Sequence, residues 1–102
     1  MKHYVSEGSY QTHLKHRIRE ILPGAIVLKE DPNDTPGVPD LCILYKTRWA
    51  TLETKISKNA KHRPRQDWYV DKMNDMSFSA FIYPENEEEV LYAMERALKA
   101  RR

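Results

Sequence analysis

The sequence predicts an α/β or α+β domain with a mixed sheet, its elements in the order α-β-β-β-α-β-α. Three observations carry that expectation. Apolar residues recur at helical spacing early in the chain. Short apolar runs bounded by Pro and Gly follow. Two further helical segments flank a last apolar run. Alternation of this kind is the signature of helices packed on a sheet.

Ser6 is placed to cap a first helix running to about Leu22. Tyr10, Leu14, Ile18 and Ile21 are spaced by four, four and three, which is one helical face. Glu7 lies one turn before Tyr10, at the edge of that face, and Pro23-Gly24 ends the helix. Ala25 to Leu28 reads as a strand. The segment Asp31 to Pro39 holds three Pro and one Gly and is a loop. Leu41 to Tyr45 is a second strand, residues 46–48 a short turn, and Trp49 to Ile56 a third strand, so these two form a hairpin. Ser57 to Arg63 is a basic loop, and Pro64 suits the first turn of a second helix carrying Trp68, Tyr69, Met73 and Met76. Phe78 to Tyr83 is a fourth strand. Asn86 caps a last helix whose first turn is acidic and whose end carries Lys99, Arg101 and Arg102, a polarity that complements the helix dipole.

The 102 residues fit one domain spanning 1–102. With 40% hydrophobic residues, six Tyr, two Trp and two Phe, one core is well supplied, and 31% charged residues of mixed sign suit a folded, water-facing surface. Net charge is only +2, yet the stretch from Lys55 to Arg65 holds five Lys or Arg residues plus His62 and no acid. A near-neutral total thus hides a basic segment of the sort a polyanion needs. Cys42 is the only cysteine, so no intrachain disulfide forms; it reads as a small core residue in an apolar strand. No stretch resembles a signal peptide or a membrane span, and the expected compartment is a reducing cytoplasm.

Candidate chemistry gathers on the hairpin. Strand side chains alternate between faces. Trp49, Thr51, Glu53 and Lys55 therefore share one face, and Ala50, Leu52, Thr54 and Ile56 the other, which reads as the core face. Glu53 and Lys55 stand about 7 Å apart along the strand. Asp40 opens the preceding strand, and hairpin pairing brings it toward Glu53 and Lys55. Two carboxylates and an ammonium at one sheet edge suit phosphodiester hydrolysis. That reaction needs a hard cation on the phosphate oxygens and an activated water. A lysine alongside can orient or deprotonate the water.

Gly37-Val38-Pro39-Asp40 followed by Glu53-Thr54-Lys55 resembles the PD-(D/E)XK nuclease motif, and the set as a whole resembles the VRR-NUC branch of that superfamily. Glu7 matches that branch's helix-opening glutamate, Lys29 a lysine of its first strand, and Gln66 the glutamine opening its second helix; Leu41 stands where an arginine is common. The resemblance spans about residues 5 to 98. It implies a restriction-endonuclease-like α-β-β-β-α-β core with a mixed central sheet flanked by helices, plus an extra C-terminal helix. It further implies that Asp40, Glu53 and the backbone carbonyl of Thr54 bind Mg²⁺, with Mn²⁺ as a substitute. Lys55 would handle the water, Glu7 would complete the metal site, and Gln66 would brace it or touch phosphate. Lys58, Lys61, His62, Arg63 and Arg65 are the expected nucleic-acid contacts.

The expected function is a metal-dependent endodeoxyribonuclease specific for structure, such as branched DNA or a Holliday junction, working as a homodimer with Tyr69, Met73 and Met76 contributing to the interface. Alternatives are a nicking or site-specific endonuclease and a catalytically inactive nucleic-acid-binding module. Simpler readings hold elsewhere. His13 and His16 lack further zinc-type ligands nearby and read as basic surface. Asp31, Asn33 and Asp34 fail the calcium-loop pattern, because Pro36 and Cys42 stand where Gly and Glu are required. Trp68 and Tyr69 read as core or interface.

Overall fold

A computed structural model describes residues 3–31 and 33–100. Pro32 of the Pro-rich loop and Arg101 and Arg102 of the basic C-terminal end lie outside the described residues. The element order is α1 (Glu7–Ile21), β1 (Ile26–Lys29), β2 (Leu41–Tyr45), β3 (Arg48–Thr54), α2 (Gln66–Met76), β4 (Phe78–Ile82) and α3 (Glu87–Lys99), the α+β order expected.

The four strands form one sheet in the order β1-β2-β3-β4. β1–β2 and β2–β3 pair antiparallel, whereas β3–β4 pair parallel. A parallel neighbour cannot be reached by a tight turn, so the chain between β3 and β4 crosses over through α2. That crossover sets the layers. Tyr10, Leu14 and Ile18 of α1 and Leu91, Met94 and Leu98 of α3 join Leu41, Ile43, Ala50, Leu52 and Ile82 in one core cluster. On the opposite face α2 covers β3 and β4, where Met73 Sδ accepts a hydrogen bond from the Thr51 hydroxyl.

α1 begins as the sequence indicates. Ser6 is the N-cap and closes a capping box with Ser9, and Glu7 stands in the first turn, where the helix dipole favours an acid. α2 differs from expectation. It starts at Gln66, and Pro64 precedes it, because Arg65 takes a left-handed conformation (φ 71°) at the N-cap position. Gly37 explains how the loops close here. Its φ is +93°, and a Cβ on it would sit 2.8 Å from Cβ of Arg65. Only glycine lets the loop before Asp40 pack against the entry to α2.

Three further expectations are corrected. Asn86 occupies the N-cap of α3 without a side-chain capping bond. Its carboxamide instead accepts from Tyr83 N–H (2.9 Å) and donates to the Phe81 carbonyl (3.1 Å), stapling the end of β4. Ile56 is exposed, not core, because β3 ends at Thr54; Lys55 still donates its N–H to the Ile82 carbonyl, and then the chain leaves the sheet. Cys42 is half-buried outside the core cluster, opposite Thr51 and Leu28, on the part of the sheet that α2 does not reach.

Candidate active site

The β2–β3 register sets Leu41 against Leu52, so Asp40 stands one residue beyond, level with Glu53. β3 is a central strand, and its residues from Ala50 through Thr54, with Lys55, are buried on both faces. Chemical groups on it are therefore held by layers on either side. α1 approaches from one side and brings Glu7; the start of α2 approaches from the other and brings Gln66. Glu7, Asp40 and Glu53 each present one carboxylate oxygen such that the three lie within 4.8 Å of one another.

Each of these acids is harder to ionise than usual. Burial pushes the Glu53 carboxyl up to about 8, and the neighbouring Asp40 charge adds to it, against the opposing pull of Lys55. Burial likewise raises Asp40, opposed by hydrogen bonds from Thr54 and Gln11. Glu7, the most exposed of the three, is raised by partial desolvation and then by Asp40. Three like charges in one partly buried corner repel, and protonation or a cation would relieve that.

The donor set fits a divalent metal by this observation: all three groups are hard carboxylate oxygens, they converge from three different elements, and their mutual repulsion is what a cation would offset. The group is made of carboxylates without imidazole or thiolate, a donor set of the kind that suits a hard divalent cation.

Lys55 is only 5% exposed, and a buried ammonium needs acceptors. It donates to Oε1 of Gln66 (2.7 Å) and to the Lys61 carbonyl (3.1 Å). Gln66 is the hub of this arrangement. Its Oε1 also accepts the Arg63 N–H (2.8 Å), and its Nε2 donates to Oε2 of Glu53 (3.2 Å). One carboxamide thus fixes the lysine, the glutamate and the backbone of the basic loop relative to one another.

Thr54 contributes more than the sequence indicates. Its N–H donates to Oδ1 of Asp40 (3.0 Å) and its hydroxyl to Oδ2 (2.6 Å). Gln11 is a site residue that sequence reasoning misses. It is buried on α1, and its Nε2 donates to Oδ2 of Asp40 and to the Thr54 hydroxyl oxygen, both at 2.8 Å. One signal could have found it: positions 7, 11, 14 and 18 form one helical stripe, so a glutamine at 11 shares the face of Glu7.

The cleft over these groups is walled by Lys29, Gly37, Lys61, Arg63 and Arg65. Lys58, Lys61, Arg63 and Arg65 are exposed and form no ion pair among the described residues. His62 is placed differently. Its ring stacks on Phe81 with centroids 4.0 Å apart, and its Nδ1 meets Asp67 at 2.9 Å, so it anchors the loop. His13 lies remote from the carboxylates in another network, bonded to Glu87 (2.8 Å) beside Arg17. Trp68 is 59% exposed and so is no core residue; its ring meets Tyr69 edge-on.

No protein-family model matches the chain, and no curated protein or solved structure matches it at a significant level. The functional reading therefore rests on the site's geometry and on the motif that its residues form.

Proposed function

We propose that this chain is a metal-dependent endodeoxyribonuclease that hydrolyses phosphodiester bonds in branched DNA. The observation that carries the reading is the convergence of Glu7, Asp40 and Glu53 within 4.8 Å beside a buried lysine. A structural role does not account for that arrangement. Crowded carboxylates, one of them buried, cost stability, and such costs concentrate where chemistry is done.

Glu7, Asp40, Glu53 and the Thr54 carbonyl would hold the cation. Bound Mg²⁺ would polarise the phosphoryl group and make water a better nucleophile. Every other part of the chemistry falls to this chain's own groups. Lys55, aimed by Gln66 and the Lys61 carbonyl, would orient the attacking water and offset charge building on the phosphate. Lys58, Lys61, Arg63 and Arg65 would grip the backbone on either side of the scissile bond.

A two-fold dimer would set two such sites at fixed spacing, matching the approximate symmetry of a four-way junction. Exposed apolar residues support association: Ile26, Leu28 and Leu44 on the uncovered half of the sheet, and Trp68 and Met76 on α2. Of the side chains expected at the interface, Met76 is exposed while Tyr69 and Met73 are half-buried. No helix among the described residues is long and apolar enough to cross a membrane.

The substrate is tested by comparing rates on a four-way junction and on linear duplexes with the same arm sequences, with light scattering to read the assembly. Faster junction cutting by a dimer is the expected result. Equal rates would favour the nicking alternative, and a monomer with and without DNA would remove the paired-site argument.

The basic loop gives a separate prediction. Reversing the charges of Lys58, Lys61 and Arg63 together should weaken DNA binding and flatten its salt dependence. The salt slope falls by roughly one unit for every phosphate that the protein no longer neutralises. An unchanged affinity and slope at matched ionic strength would mean that the loop is merely solvated.

A further inference from the structure

The hydrogen bonds onto Asp40 are unequal, and the inequality has a chemical consequence. A carboxylate oxygen has about two lone-pair sites. Oδ2 of Asp40 accepts from Gln11 Nε2 at 2.8 Å and from the Thr54 hydroxyl at 2.6 Å. Oδ1 accepts one bond, from the Thr54 N–H at 3.0 Å. Gln11 Nε2 also donates to the Thr54 hydroxyl oxygen at 2.8 Å, which turns that hydroxyl's proton toward Oδ2. Three hydrogen bonds thus close a triangle around Oδ2, on the side of the aspartate that faces α1. Oδ2 accepts two of the three side-chain and backbone bonds from Gln11 and Thr54, and Oδ1 one.

From this arrangement we infer that Gln11 is a positioning residue that selects the cation: with Thr54 it occupies Oδ2 of Asp40, leaves Oδ1 the freer oxygen for ligation, and so favours a small octahedral ion over calcium. The inference rests on the metal-site reading proposed above. Its chemistry is general. Mg²⁺ and Mn²⁺ take single oxygens in near-octahedral array, whereas Ca²⁺ accepts seven or eight ligands and readily takes a carboxylate through both oxygens. An aspartate whose second oxygen already accepts two hydrogen bonds must give them up to offer that pair.

Gln11 does this from a well-fixed place. It is 5% exposed, on the turn of α1 that follows Glu7. The bond to Asp40 therefore also locks α1 against the β2–β3 end of the sheet, and with it the helix end that carries Glu7. Loss of Gln11 should free Oδ2 and loosen Glu7 together, and both changes weaken the case for a small ion.

The test is direct cation binding to the metal-free protein, without DNA or turnover, by calorimetry with Mn²⁺ and with Ca²⁺. Gln11→Met keeps the volume and removes both donors. Its Mn²⁺ affinity should fall about tenfold or more, as for other groups that orient a metal's ligands, while its Ca²⁺ affinity holds or rises. The preference for Mn²⁺ over Ca²⁺ should therefore fall at least as much. Thr54→Val, which removes the hydroxyl but keeps the N–H, should shift the preference the same way and carries the test if Gln11→Met does not fold. An equal loss for both cations would show a merely structural role and overturn the inference, as would no change in either. Wild-type protein that binds neither cation, and behaves like Asp40→Ala, would overturn the metal site itself and the selection with it.

Discussion

Replacing Asp40, Glu53 or Lys55 with alanine should each lower DNA cleavage by at least about a thousandfold, with DNA affinity little changed. The groups act as one unit. Asp40 and Glu53 supply two of the three converging oxygens, and Lys55 is fixed beside them by the glutamine that also holds Glu53. Affinity is expected to lie with other residues, the cations of the loop between β3 and α2, which are exposed. Stability should move opposite to activity where the ionisable proton alone is removed. Glu53→Gln retains an acceptor for the Gln66 carboxamide and removes a carboxyl that the folded protein must keep protonated at neutral pH while the unfolded chain ionises it. Metal-free Glu53→Gln protein should therefore melt higher than wild type at neutral pH, the trade-off expected where a strained site serves chemistry. Wild-type-like cleavage by any of the three alanine variants would remove that residue from the site.

The second large effect concerns pH and metal. The carboxyl of Glu53 titrates near 8 in the folded protein against an ordinary 4.5, and Glu7 and Asp40 shift in the same direction. Between those values the folded protein holds a proton that the unfolded chain has released. Stability without metal must therefore fall as pH rises from about 5 to about 8, and then level off. Glu87 works the other way. Its carboxyl is held below the usual range by Arg17 and His13 against the cost of burial, so its contribution is present at neutral pH and is lost in acid. A cation held by the ionised carboxylates, as proposed, should restore what deprotonation removed. Saturating Mn²⁺ should raise the melting temperature at about pH 8 by on the order of 10 °C and by far less at about pH 5. The Glu53→Gln variant should lose most of both the pH slope and the metal effect. A melting temperature insensitive to pH across this window, or a Mn²⁺ effect equal at both ends of it, would contradict the account.

Much of this arrangement is legible in the residues alone, for reasons that can be stated one by one. The β2–β3 hairpin follows from two apolar runs and a short turn, and its register alone brings Asp40 level with Glu53. Glu7 at the start of α1 follows from Ser6 as cap and Tyr10, Leu14 and Ile18 as the buried stripe. What escapes depends on layers that strand alternation cannot show. Alternation puts Thr51, Glu53 and Lys55 on the face away from the main core, but it does not show that α2 lies over that face and that all three are buried. Gln11 escapes because a glutamine beside an apolar stripe looks like an ordinary boundary residue; only the fold brings Asp40 and Thr54 to it. The late start of α2 escapes because Arg65 adopts a left-handed backbone that non-glycine residues seldom take. Asn86 has the right identity for a cap, but the end of β4 offers it better partners.

The central claim is that Glu7, Asp40 and Glu53 hold a divalent cation for phosphodiester hydrolysis, and one measurement tests it most directly. Purified wild-type protein and Glu53→Gln are incubated with a labelled four-way junction in Mg²⁺, in Ca²⁺ and in excess EDTA, and products are resolved on a denaturing gel. The account predicts cutting by the wild type in Mg²⁺, binding with little cutting in Ca²⁺, none in EDTA, and none by Glu53→Gln in any of them. Undiminished cutting in EDTA, or equal cutting by Glu53→Gln, would contradict it.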